Sequence, residues 1–231
     1  MKTAGIIGGI GPESTIEYYR LTIARYRDRT RDGSYPEILI NSIDVTRMLD
    51  LTGANRLPEL TDYLLDGIEK LARAGADFGA LAANTPHVVF EPLLRRSPIP
   101  LISIVDATCL AARARGLKRA ALVGTRFTMQ GPFYREGMAR VGIALVVPSS
   151  EEQDYIHEKY MQELVKGDFR PETRERLLAV IERLRIDDGV DGVILGGTEL
   201  PLILRDEKAA GLPLLDTTRI HVEAIVAEML S

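Results

Sequence analysis

An internal repeat narrows the folds open to this 231-residue chain more than any other feature. Sliding the sequence by 114 residues sets GADFGALAAN (75–84) on GVDGVILGGT (189–198), matching Gly75 with Gly189, Asp77 with Asp191 and Leu81 with Leu195. Sliding it by 116 sets AGIIGG (4–9) on AALVGT (120–125). Both pairs occur in the same order, as a duplicated unit requires. Around them, apolar runs closed by turn residues alternate with stretches of helical period, the pattern of βαβ units and a mostly parallel sheet. Strands are expected at 3–9, 37–43, 78–83, 100–105, 120–125, 144–148, 192–197 and 212–216, and helices at 14–29, 56–74, 88–95, 106–115, 131–141, 151–165, 171–186 and 217–230. Ser14 and Glu17 have the spacing of a capping box for the first helix, and Pro171 suits the first turn of another.

Composition excludes several classes of function. A formal charge of −4, with both signs mixed along the chain, leaves no basic footprint for nucleic acid. The N-terminal stretch lacks a signal-peptide pattern and no run has the length of a membrane span, so a cytoplasmic protein with no membrane partner is expected. Cys109 is the single cysteine, which rules out an internal disulfide, and His87, His157 and His221 form no HxxxH or HExxH pair, so no metal is expected.

The candidate chemistry lies where expected strands end. If the repeat holds, the tip Ala83-Asn84-Thr85 is equivalent to the tip Gly197-Thr198-Glu199, and a cleft shared by the two halves would collect both. The glycine-rich turn GGIGPEST follows a strand and opens a helix. It reads either as a tight turn or as a carboxylate site made by backbone N–H groups at Gly9, Ile10 and Gly11. It fits a dinucleotide fingerprint poorly, since Ser14 stands where the third glycine belongs. Thr125 and Thr128, in GTRFTMQG, read as an anion-binding turn or as helix capping. Arg47 and Lys166 are the cations at strand-end or loop positions that an acidic ligand would use. His87 serves as a base or as a donor to a carbonyl, and Cys109 reads as a small buried hydrophobe.

Four segments together, GIIGGIGPEST, NTPH (84–87), GTRFTM (124–129) and LGGTELPLIL (195–204), resemble the aspartate/glutamate racemase family, in particular its aspartate-racemase-like branch, over essentially the whole chain. The resemblance implies two pseudosymmetric α/β domains, each a mostly parallel sheet flanked by helices, with the site in the cleft between them. The expected domains are residues 1–100 plus 211–231, and residues 101–210. It also implies a homodimer and an isomerase that racemises a small, acidic amino acid without pyridoxal phosphate or any other cofactor. In the family two thiols on opposite faces of Cα remove and return the proton. The positions matching them are Ala83 and Gly197, so the two-thiol mechanism is excluded here. By resemblance Gly8 to Gly11, Asn84, Thr85, Thr125, Lys166 and Thr198 hold the amino and carboxylate groups, with Arg47 the partner of a side-chain carboxylate. His87 and Glu199, one beside each tip, are the substitute acid/base pair the sequence offers. The alternative is a catalytically inactive amino-acid or dicarboxylate binding protein on the same scaffold.

Overall fold

Parallel pairing in two separate sheets organises the chain. The computed structural model describes residues 1–206 and 208–231 and divides into two compact units, Met1–Ile104 with Thr218–Ser231, and Val105–Thr217.

In the first unit the chain runs β1 (Ala4–Gly8), α1 (Pro12–Thr30), β2 (Ile38–Ser42), α2 (Val45–Gly53), α3 (Leu57–Arg73), β3 (Phe78–Leu81), a 3-10 turn (Thr85–Val89), α4 (Phe90–Arg96) and β4 (Leu101–Ile102). The strands form a four-stranded sheet in the order β2-β1-β3-β4, with every pairing parallel. Both faces are covered, so β1 and β3 are apolar throughout rather than alternating with polar residues. Ala4, Ile6, Phe78 and Ala80 face Tyr18 and Leu21 of α1 and Val222, Ile225 and Val226 near the C-terminus; Ile7 and Leu81 face Leu64 and Ile68 of α3 on the other side. That two-sided burial fixes the register, because a slip by one residue would exchange the faces.

The second unit runs α5 (Ile104–Ala114), whose first residue belongs to the first unit, then β5 (Arg119–Gly124), α6 (Arg126–Gln130), α7 (Pro132–Arg140), β6 (Ala144–Val146), α8 (Ser150–Gln162), a 3-10 turn (Leu164–Lys166), α9 (Pro171–Asp187), β7 (Gly192–Gly196), α10 (Leu200–Ile203), β8 (Lys208–Ala209) and β9 (Leu212–Asp216). Its sheet is ordered β6-β5-β7-β9-β8, and only β8 is antiparallel. Without β8, this is the strand order of the first sheet. Helix α11 (Thr217–Met229) then returns to the first unit.

The repeat has a physical core. The Asp77 carboxylate accepts the N–H of Thr3 at 2.7 Å while its own N–H donates to the Thr3 carbonyl at 2.9 Å. The Asp191 carboxylate accepts the N–H groups of Lys118 and Arg119 at 2.7 and 3.0 Å, and its N–H donates to the Arg119 carbonyl at 2.8 Å. In each unit the aspartate before the third strand clamps the entry of the first.

Three expectations need correction. Residues 101–104 belong with the first unit and residues 211–217 with the second, because β4 pairs with β3 and β9 with β7. Helix α1 begins at Pro12 with Gly11 as its N-cap; Ser14 is buried inside the helix and donates to the Ala82 carbonyl, while Glu17 pairs with Arg20. Arg47 lies in the first turn of α2, a helix absent from the sequence reading, capped by Asp44 accepting from the N–H of Thr46.

Removing either clamp should destabilise the fold. Asp191→Ala, which loses two N–H acceptor contacts, should cost about 1–3 kcal/mol, and Asp77→Ala somewhat less, as measured by urea unfolding.

Candidate functional site

Parallel register brings the expected tips together within each unit. In the first unit Ile7 lies opposite Leu81 and Gly8 opposite Ser42, so the turn after β1, the tip after β3 and the start of α2 emerge along one sheet edge. In the second, Gly124 lies opposite Gly196, which puts Thr125 and the Gly197-Thr198-Glu199 tip at the corresponding edge. Ligands of parallel α/β sheets bind at this carboxyl edge.

Gly9 and Gly11 shape the first turn, both at positive φ, 78° and 102°. At Gly9 a Cβ would lie 2.3 Å from the Ile43 carbonyl oxygen, so only glycine fits. The Gly9 N–H donates to Thr15 Oγ1 at 2.9 Å, so this member of the expected carboxylate cradle is bonded internally. Asn84 and Thr85 are buried at the start of the 3-10 turn, whereas the methyl of Ala83 packs into the apolar cluster with Ile7, Ile10 and Val89.

His87 is pinned at both nitrogens. Nε2 accepts the N–H of Ile104 at 3.2 Å, which makes Nδ1 the protonated nitrogen, donating to the Ala83 carbonyl at 3.0 Å. The ring is 2 % exposed and stacks on Phe90. Burial, reinforced by the nearby His221, lowers its pKa to about 3. A neutral imidazole with both nitrogens held by backbone orients the Ala83 tip. Of the two roles read for His87 in the sequence, the structure shows the bond to a carbonyl.

His221 is equally buried. Its Nδ1 pairs with the Tyr18 hydroxyl at 2.8 Å and its Nε2 with the Ile102 carbonyl at 3.0 Å, and burial lowers its pKa to about 4.

In the second unit Thr125 caps α6. Its hydroxyl accepts from the Thr128 N–H and pairs with the Thr128 hydroxyl at 3.1 Å, the capping role that the sequence left open. Thr198 donates to Glu199 Oε2 at 2.9 Å, and the Tyr160 hydroxyl of α8 donates to the same oxygen. All three residues are buried. Burial first, then the Glu199 carboxylate, holds the Tyr160 phenol well above its ordinary pKa, so it stays protonated. Tyr160 is the residue that the sequence reading missed. Its signal was the stripe Ile156, Tyr160, Leu164 at successive four-residue steps, which marks the hydroxyl as lying on a buried face where it needs a partner.

The expected cations sit differently. Arg47 is exposed with its guanidinium 4.4 Å from the centroid of the Tyr63 ring, and Lys166 is exposed at the end of its 3-10 turn. Cys109 is buried, and burial with the adjacent Asp106 carboxylate pushes its thiol up to about 12. Among the described residues no cluster of His, Cys, Asp and Glu is suited to a metal, and no helix is long and apolar enough to cross a membrane.

The two buried histidines set a pH dependence. Their folded pKa values lie below the unfolded value of about 6.5, so the unfolded chain takes up protons first as pH falls. The stability they confer is complete above that value and is lost as pH falls toward about 4 for His221 and about 3 for His87. Each should contribute a slope of up to about 1.4 kcal/mol per pH unit. Unfolding measured between pH 7 and 5, on the order of the interval where carboxylates do not yet titrate, should show this loss. His221→Gln should flatten it; an unchanged slope would contradict the assignment.

Comparison with known proteins agrees with this geometry. The family model for Asp/Glu/hydantoin racemases matches residues 7–225. The chain is 25% identical to the broad specificity amino-acid racemase RacX of Bacillus subtilis, covering 98% of each. Among solved structures, an aspartate racemase homologue from Pyrococcus horikoshii superposes with a TM-score of 0.85 at 34% identity, and a Yersinia pestis protein classed with the Asp/Glu racemases with 0.90 at 30%, each covering 100% of both chains. The strand order, the paired strand-end tips and these matches together show that this chain belongs to the Asp/Glu/hydantoin racemase family.

Proposed function

We propose that the chain acts on a small, acidic amino acid, labilising its Cα proton without metal or cofactor and without the paired thiols of its family. The observation that carries this reading is the pair of equivalent polar tips. Asn84 and Thr85 follow β3, and Thr198 and Glu199 follow β7, all four buried at the carboxyl edge of sheets with the same strand order. Amide and hydroxyl groups of this kind bind an ammonium and a carboxylate, and Ile10 and Gly11 supply backbone at the N-terminus of α1, where a carboxylate is favoured. Lys166 serves with the amino- and carboxylate-binding groups and Arg47 is the cation for a side-chain carboxylate, and Thr125 follows Gly124, which lies opposite Gly196 before the second tip.

A second reading has its own support. Ala83 is packed into the apolar core and Gly197 has no side chain, so a protein that binds the amino acid without chemistry is also consistent with the tips.

The two readings separate in deuterated water. The chain, incubated with L- and D-aspartate and L- and D-glutamate, should exchange Cα hydrogen for deuterium by NMR; binding without exchange for any of them would leave only the binder. Asn84→Ala and Thr198→Ala should each weaken binding by roughly tenfold or more, the worth of a hydrogen bond to a charged group.

A further inference from the structure

The space beside Gly197 is occupied. A Cβ built at that glycine would meet Tyr160 at three atoms, Cε2 at 2.4 Å, the hydroxyl oxygen at 2.7 Å and Cζ at 2.9 Å. These are closer than real Cβ contacts come, and they involve a ring packed among Met129, Ile156 and Leu195. Glycine at 197 and tyrosine at 160 are therefore one coupled choice. The phenol hydroxyl stands within the volume that a side chain on this tip would fill, and it is hydrogen-bonded to the carboxylate of Glu199, two residues along the same tip.

We propose that Tyr160 and Glu199 form the proton-transfer device of the second tip, with the tyrosine hydroxyl occupying the place of the absent residue 197 side chain. This rests on the amino-acid reading above. In the forward step the Cα–H bond breaks, its proton passes to the Tyr160 oxygen, and the tyrosine's own proton passes to Glu199 Oε2. The electron pair stays on Cα, delocalised into the substrate carboxylate. Tyrosine ends neutral, Glu199 ends as a carboxylic acid, and no phenolate forms. That balance suits a phenol whose ionisation is opposed by burial and by the neighbouring carboxylate. Thr198, which donates to the same Glu199 oxygen at 2.9 Å, fixes its orientation.

Tyr160 and Glu199 lie in one unit and make a single proton-transfer pair. The device is therefore one-sided. It withdraws and returns the proton on a single face of Cα, so one enantiomer exchanges with solvent much faster than it inverts.

The test follows Cα deuteration and chirality for aspartate and glutamate with the parent chain, Tyr160→Phe and Glu199→Gln, alongside dissociation constants for the same ligands. Exchange confined to one enantiomer, lowered at least about 100-fold by either substitution, supports the device. The phenylalanine variant, which keeps the ring, should bind within about threefold of the parent, since only a proton-transfer group is lost. Exchange at the parental rate in both variants overturns the device and leaves the proposed function standing. Binding by the parent without any exchange overturns the catalytic reading itself, and the device with it. A Tyr160→Phe variant that has lost binding as well as exchange is judged on Glu199→Gln. Parental exchange there overturns the device; lost exchange with binding kept supports it.

Discussion

The register of β5 on β7 is the constraint on which the second tip depends. Gly124 and Gly196 face each other, and a Cβ at Gly124 would lie 2.6 Å from the Gly196 carbonyl oxygen, so the strands approach as they do only because that position carries no side chain. From that approach follow the placement of Thr125 at the head of α6 and of Thr198 and Glu199 at the head of α10. The first sheet repeats the arrangement with β1 and β3, and its two faces are both sealed by helices, so the register has no slack.

Satisfaction of buried polar atoms then decides what each group does. His87 and His221 spend their ring nitrogens on backbone carbonyls, a backbone N–H and the Tyr18 hydroxyl. Such a histidine stays neutral because charging it would cost desolvation. Tyr160 differs, since its partner is an ionisable carboxylate on a strand-end tip. A phenol and a carboxylate sharing one hydrogen bond can pass a proton between them, whereas an imidazole held by two backbone groups has nowhere to send one. The two residues that the sequence offered as an acid/base pair are bonded differently: Glu199 accepts from the Tyr160 hydroxyl, and His87 is held by backbone at both nitrogens.

Much of the fold was legible because βαβ units write themselves in periodicity. The strands 37–43, 192–197 and 212–216 lie within a residue or so of β2, β7 and β9 at each end, and the offset repeat anticipated two similar α/β halves. Four short elements were not legible. Helices α2, α6 and α10 and strand β8 are nine residues or fewer, so each offers little helical or alternating period to read above turn composition. The start of α1 was misplaced because a Ser-x-x-Glu spacing and a Gly-Pro pair give competing signals, and Pro12 at the first helical position won, leaving Ser14 to donate to Ala82. At the site, the polar tips were readable as residue types at strand ends. For Tyr160 the stripe shows burial but not position at the tip, because that comes from the volume left by Gly197, thirty-seven residues away, and only tertiary packing connects the two.

The central claim is that proton chemistry here is carried by oxygen and not by sulfur. Cys109 is the chain's single thiol, buried against Gly137 and raised far from thiolate formation. The most direct measurement is the rate of Cα deuterium exchange on aspartate and glutamate by the Cys109→Ala variant. An unchanged rate is the expected result, and exchange that disappears with the thiol would contradict the account.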